Sequence, residues 1–139
     1  MQGTAIFTYG SLMFEEVWRP LVPEPRASMR ADLPGYRREA VTGQSYPGIV
    51  ADPAAATEGR VYFGLDAGDL GRLDRFEGDD YERLPVELLI SGPAGVQVAV
   101  RAEAYVFRLP ERLSGRAWVP EVFARESAQA FYARHSSGN

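Results

Sequence analysis

The pattern of apolar and polar residues along the chain predicts more strands than helices. Thr4–Tyr9 is a short apolar run that ends at Gly10 and Ser11. Residues 27–41 alternate between polar and apolar types, with an interruption at Pro34-Gly35, and predict a strand, a bend and a second strand. Further strands are predicted at a short piece between two loops within residues 45–53, at Glu58–Asp66, and at 81–90 and 96–108, which the turn sequence SGPAG joins into a hairpin.

Helical spacing is confined to three stretches. Phe14–Leu21 predicts a short helical turn, which the nearby prolines end. The next helix has Asp66 as its N-cap and Asp69 in its first turn, and it ends before Gly78, a typical residue after a helix C-terminus. Residues 118–135 predict a last helix, with an apolar face suited to packing on a sheet, made by Val122, Phe123, Ala130 and Phe131.

These elements predict a single α+β domain over residues 1–139, with a frayed tail from about residue 136. It has about six mostly antiparallel strands and two or three helices. A twisted sheet that closes into a small β-barrel is the arrangement that best buries so many apolar strand residues.

Composition excludes several classes of function. The 139 residues include no cysteine, no lysine and one histidine, His135, which we interpret as a residue at a helix C-terminus. Disulfides, Schiff-base chemistry, histidine-rich metal sites and Ser-His-Asp triads are therefore not expected. The net charge of −4, without any basic run, argues against a nucleic-acid surface. No apolar stretch approaches the length of a membrane span and no signal peptide is evident, so a cytoplasmic protein is expected.

One carboxylate interrupts an apolar pattern. In the helix over residues 67–77, Leu70 and Leu73 form a stripe whose next position is Glu77. Partial burial and the negative end of the helix both disfavour its ionised form, so its pKa is expected to rise, as general acid–base catalysis requires. In the alternative interpretation, the side chain bends into solvent or pairs with Arg83.

The sequence YGSL, Tyr9 to Leu12, ends the first predicted strand. Successive backbone N–H groups at this position could form a nest for an anion, and Gly10 lets the backbone approach a ligand closely. The alternative is a tight strand-ending turn in which Ser11 is an N-cap. Ser11 is not expected to be a covalent nucleophile, because no base of a catalytic triad is visible.

Together these segments resemble the gamma-glutamylcyclotransferase-like family, also called AIG2-like. YGSL is followed in order by YPGIV (residues 46–50), GRVYFGL (59–65), LDRFEGDDYER (73–83) and AEAYVF (102–107). The resemblance reaches from near the N-terminus to about Phe107. It implies a small barrel flanked by helices, with a cavity in which the YGSL loop holds a gamma-glutamyl group.

The resemblance also implies a reaction, in which the substrate's α-amine attacks its own γ-carbonyl and releases 5-oxoproline and a free amine. This activity can be classed as a transferase or a lyase reaction and requires no metal or cofactor. Glu77 would be the catalytic acid–base residue. Gly10, Ser11 and Leu12 would bind the substrate, and Tyr9 and Tyr105 would line the pocket or simply pack in the core. Arg83 would bind the substrate carboxylate or form an ordinary ion pair, and Tyr81 would pack beside the helix.

Three hypotheses follow from the sequence. The first is an enzyme that cyclises gamma-glutamyl amines or peptides, and the second is a non-catalytic binding or regulatory protein that keeps the pocket. The third is an enzyme that removes a gamma-glutamyl group from a biosynthetic intermediate. The partner is a small molecule in each case. The leaving amine is expected to contact variable loops, such as SYPG (residues 45–48) and the connection over residues 110–118, and the oligomeric state is left open.

Overall fold

A computed structural model describes residues 3–121 of the chain. Helix α1 covers Glu15–Trp18 and helix α2 covers Ala67–Glu77, and 3-10 turns lie at Ser11–Met13, Pro93–Gly95 and Pro110–Arg112. The strands are β1 (Thr4–Thr8), β2 (Ser28–Val41), β3 (Pro47–Leu65), β4 (Tyr81–Ser91), β5 (Gln97–Phe107) and β6 (Leu113–Ala117).

Five strands form a closed ring. Neighbouring strands follow the order β3-β1-β5-β4-β2, and the pairing of β2 with β3 closes the ring. Strand β6 lies outside this ring order and pairs with the C-terminal part of β2. The pairings are antiparallel except for that between β1 and β5. The predicted α+β fold with a mostly antiparallel closed sheet is confirmed, and so is the hairpin of β4 and β5.

The two longest strands differ from the prediction. Residues 27–41 were expected to form two strands, but β2 is one strand with a register shift at Gly35, where φ is +87°. Likewise β3 runs without a break through the segment expected to contain loops, and its residues 52–55 lie opposite Gly35. The reason is that each strand pairs with the other over almost its whole length, and this pairing overrides weak local propensity. A bulge absorbs the unequal lengths.

Two further predictions concern the C-terminal part of the chain. The segment 110–118 was expected to be a connection, but it contains strand β6, which pairs with β2. The helix predicted over residues 118–135 lies beyond Glu121 almost entirely outside the described residues, as do His135 and the tail. Within residues 3–121, no helix has the length and apolarity needed to cross a membrane.

Alternate residues of the ring pack into two cores. One core fills the interior of the ring, with members from all five strands such as Phe7, Leu33 and Leu88. The other core lies between the outside of the ring and the helices, and includes Ile6, Leu73 and several other buried residues, namely Leu12, Val17, Trp18, Val22, Leu65 and Tyr105. Neighbouring residues of β1 thus face opposite cores, as the two-residue period of a strand requires.

Candidate active site

A cavity of about 340 Å³ opens where the two cores meet. The end of β1, the loop that follows it, the end of α2 and the start of β3 and β4 all contribute to its wall. Six of its residues are aromatic, and its charged residues within the described chain are both acidic. The lining consists of Phe7, Thr8, Tyr9, Gly10, Ser11, Leu12, Ser45, Tyr46, Pro47, Phe76, Glu77, Asp80, Tyr81 and Tyr105.

The YGSL loop forms one wall, and its glycine is required by close packing. A Cβ atom at Gly10 would lie 2.8 Å from Cγ of Pro47, so any side chain there would collide with the start of β3. Ser11 begins a 3-10 turn whose N-cap position is Gly10, and no side chain caps this turn. The alternative in which Ser11 is an N-cap is therefore wrong.

The backbone of this loop offers free donors to the cavity wall. In the part of the chain that the structure describes, the N–H groups of Gly10, Ser11 and Leu12 donate to no other residue, whereas the next N–H group, that of Met13, bonds to the Gly10 carbonyl at 3.0 Å. Successive unpaired N–H groups favour an anion such as a carboxylate.

Glu77 occupies the last turn of α2 and lines the cavity. The helix begins with a capping box between Asp66 and Asp69 and ends at Gly78, which has a φ of +77° and donates to the Asp74 carbonyl at 3.0 Å. These end signals set the helical phase that directs position 77 toward the cavity. Glu77 is partly buried, and among residues 3–121 no hydrogen bond or ion pair reaches its carboxylate. Desolvation raises its pKa from 4.5 to about 8.

Four tyrosines surround this carboxylate. Burial and then the nearby Glu77 raise the pKa of Tyr9 and Tyr81, and Glu77 contributes more weakly to the raised pKa of Tyr46 and Tyr105. Three of the hydroxyls are already committed. Tyr9 donates to the Tyr105 carbonyl at 2.5 Å, Tyr81 to the Pro47 carbonyl at 2.7 Å, and Tyr105 to Asp74 Oδ1 at 2.6 Å. The rings therefore shape an apolar cavity around Glu77.

Arg83 is not part of the cavity lining. Its guanidinium forms two hydrogen bonds with Asp74, at 2.9 and 3.1 Å, and a third at 2.5 Å with Glu103. Desolvation raises the pKa of Asp74, but hydrogen bonds from Arg83 and Tyr105 outweigh it and hold that pKa below its usual value. Arg83 thus holds the acceptor that orients Tyr105. Arg83 therefore forms ion pairs, as one alternative expected, but its partners are Asp74 and Glu103 and not Glu77.

The structure brings six of the seven sequence-predicted residues together around the cavity, and adds others that sequence reasoning missed. Tyr46 and Pro47 come from the segment expected near the leaving amine, and Tyr81 was interpreted only as packing beside the helix. Asp80 was not singled out from the sequence, because nothing in the local sequence distinguishes it from Asp79. The segment 110–118 contributes only indirectly, because Trp118 Nε1 donates to the Ser45 carbonyl at 2.8 Å.

Comparison with known sequences gives a consistent result. The sequence model of the family described as "Gamma-glutamyl cyclotransferase, AIG2-like" matches residues 6–121. AIG2-like protein D of Arabidopsis thaliana is 36% identical over 95 residues, which cover 66% of this chain and 62% of that protein. Protein AIG2 C of the same plant is 33% identical over 88 residues, covering 63% and 53%. The chain thus matches between half and two thirds of the length of these relatives.

Solved structures share the fold. The solution structure of an Arabidopsis thaliana protein superposes with a TM-score of 0.72 at 28% identity, covering 98% of this chain and 81% of that one. A structure titled gamma-glutamyl cyclotransferase gives a TM-score of 0.62 at 20% identity, covering 75% of this chain and 66% of that chain. A mouse AIG2-like protein gives 0.60 at 18% identity, covering 82% and 86%. The last two likenesses concern the fold alone.

Proposed function

The chain belongs to the gamma-glutamyl cyclotransferase, AIG2-like family, and from that premise we propose that it converts a gamma-glutamyl amine or peptide into 5-oxoproline and a free amine. The observation that carries this proposal is the Glu77 carboxyl group, which lines the cavity without a protein partner and has a pKa raised to about 8. A carboxylate buried without a partner is costly to a fold. Such a group is expected where a ligand supplies the partner.

The reaction places both reacting groups in one substrate. The α-amine attacks the γ-carbonyl carbon, a C–N bond forms to close a five-membered lactam, and the C–N bond to the leaving amine breaks. Glu77 takes one proton from the α-ammonium group before the attack and returns it to the leaving nitrogen. The second proton that the α-nitrogen loses when the lactam closes also ends on the released amine, which leaves as an ammonium ion. No electrons are transferred to or from the substrate. With a pKa of about 8, the carboxylate is a much better match to an ammonium group than an ordinary glutamate.

The remaining walls position the substrate. The free N–H groups of Gly10, Ser11 and Leu12 hold the substrate's α-carboxylate or the oxyanion that develops on the γ-carbonyl. Tyr9 and Tyr105 pack against the aliphatic glutamyl chain and exclude water. Holding the amine against the carbonyl in this way can lower the barrier by roughly 7–11 kcal/mol at best. We propose Arg83 as a positioning residue, which acts on Tyr105 through Asp74.

A product assay tests the proposal. The protein is incubated with gamma-glutamyl amines and dipeptides, 5-oxoproline is detected by mass spectrometry, and Glu77→Gln is measured in parallel. We expect wild type to form 5-oxoproline and the variant to lose about 10²–10⁴-fold in kcat, the range that general acid–base catalysis contributes. For wild type, kcat/KM should rise with pH and level off above about 8, because only ionised Glu77 accepts the proton.

The result that would contradict catalysis is also defined. If neither protein forms 5-oxoproline from any substrate, while both are folded and bind the same conjugates by calorimetry, the protein binds gamma-glutamyl compounds without turnover. Glu77 would then be a recognition residue. If Glu77→Gln keeps wild-type kcat, the acid–base role of Glu77 is wrong even though the reaction occurs.

A further inference from the structure

The charges of the cavity are all of one sign among the described residues. Glu77 and Asp80 are its only ionisable lining residues apart from the tyrosines, and no arginine or histidine of residues 3–121 contributes to the wall. The chain contains no lysine at all. A substrate carboxylate bound away from the YGSL loop would therefore face acidic and aromatic groups without a cation to pair with.

Asp80 lines the cavity together with Tyr46 and Tyr81, the second of which follows it directly in the chain. The rings of these two tyrosines lie 6.4 Å apart. Burial raises the pKa of both tyrosines most, and the negative charges of Asp80 and Glu77 raise it further. Asp80 therefore contributes its charge to the part of the wall that Tyr46 and Tyr81 form.

The Asp80 carboxylate is available for a ligand. Within residues 3–121 no side chain or backbone N–H bonds to it, and only its backbone carbonyl is engaged, by the Arg108 N–H at 2.8 Å. The Arg108 guanidinium instead approaches the carbonyl of Asp79 at 3.5 Å. Burial and Asp80 raise the pKa of Tyr46 more than the charge of Arg112 lowers it, and Arg112 does not line the cavity.

We propose that Asp80 selects substrates whose leaving amine carries a second, positive charge, as a diamine does. This inference rests on the proposed cyclotransferase function. The glutamyl α-carboxylate lies on the N–H groups of the YGSL loop, the scissile amide lies at Glu77, and the leaving group extends toward Asp80 and Tyr46. A cationic end there pairs with Asp80 and contacts the face of an aromatic ring. A carboxylate at the same point loses its hydration and gains no partner.

Three substrates of equal length test the inference. They are the gamma-glutamyl conjugates of 1,4-diaminobutane, n-pentylamine and 4-aminobutanoate, which place a positive, a neutral and a negative group at the same distance from the amide. For wild type we expect kcat/KM to be about 10-fold higher for the cationic conjugate than for the neutral one, and lower again for the anionic one. Asp80→Asn should bring the cationic-to-neutral ratio close to one.

Asp79→Asn is the matched control, because Asp79 is the exposed neighbour of Asp80 and does not line the cavity. It should keep the wild-type ratio. If wild type cleaves all three conjugates alike, or if Asp80→Asn keeps the preference, the inference is overturned and the proposed function is unaffected. Because the readout is a ratio within one protein, partial loss of folded protein does not alter it.

Calorimetric binding separates failure of the inference from failure of the proposed function. If no conjugate yields 5-oxoproline, the cyclotransferase proposal fails. Tighter binding of the cationic conjugate than of the neutral one by wild type, lost in Asp80→Asn, would still support the inference about recognition. Equal binding of the three conjugates by both proteins would overturn it.

Discussion

The two ends of helix α2 hold their acidic side chains in opposite ways. At the N-terminal end, Asp69 is 1% exposed and accepts three hydrogen bonds, from Arg26 at 2.7 Å, Arg72 at 2.7 Å and the backbone N–H of Asp66 at 3.1 Å. At the C-terminal end, Glu77 accepts no bond from any residue in the range 3–121. The helix dipole stabilises the first carboxylate and opposes the second.

This difference separates a structural carboxylate from one that is available for chemistry. Asp69 is fully satisfied by the protein and closes the start of the helix onto Arg26. Glu77 has been desolvated without compensation, and it faces a cavity large enough for a ligand. Asp74 lies between them along the helix. It has protein partners, Arg83 and Tyr105, as Asp69 does, but its side chain is half-exposed.

The largest effect on stability is expected at the N-terminal end. Asp69→Ala removes the partner of Arg26, whose side chain is 19% exposed, and of Arg72, so the free energy of unfolding should fall by about 3–5 kcal/mol. Urea denaturation at pH 6 measures this. Glu77→Gln is the control on the same helix, and at pH 6 it should not lower stability, because Glu77 has no partner to lose and its raised pKa already costs wild type some stability at this pH. Equal losses in the two variants would contradict the comparison.

A smaller effect is expected at Glu77 when the pH is raised. Wild type should lose stability, so that the substitution Glu77→Gln becomes stabilising, whereas Asp69→Ala is destabilising. Its pKa is raised from 4.5 to about 8 in the folded protein, so the folded state binds a proton that the unfolded chain has released. Stability from this group is therefore full below about pH 4.5 and is lost as the pH rises through 8. Relative to Glu77→Gln, wild type should lose about 2 kcal/mol between pH 5 and pH 9, less than the full shift because the side chain is partly exposed.

The difference in unfolding free energy between the two proteins is the quantity to follow, since other titrating groups cancel in it. A difference that stays constant from pH 5 to pH 9 would show that Glu77 titrates in the folded protein as it does in the unfolded chain.

The smallest effect is expected at Asp74. Its side chain is 45% exposed, compared with 1% for Asp69, and water therefore screens its pairing with Arg83. Asp74→Ala should lower the free energy of unfolding by about 1 kcal/mol or less, as measured by urea denaturation. A loss as large as that of Asp69→Ala would mean that burial does not decide which carboxylates hold this helix.

Local signals were sufficient for much of the fold. The helix over residues 67–77, its cap at Asp66 and its end at Gly78 were predicted because capping chemistry depends on side chains a few positions apart. The hairpin of β4 and β5 was predicted from its turn sequence SGPAG, which is also a local signal. The extent of β2 and β3 was not, because their continuity depends on each other rather than on their own residues.

The sequence by itself determined the phase of α2, and therefore that a glutamate at position 77 interrupts an apolar stripe. Periodicity is a local property, and it carries that information without any partner. Only the tertiary structure decided that Glu77 has no partner, that Arg83 bonds to Asp74 and Glu103, and that Asp80 lines the cavity when Asp79 does not. These are contacts between segments distant in the chain, and closing the ring of five strands is what brings them together.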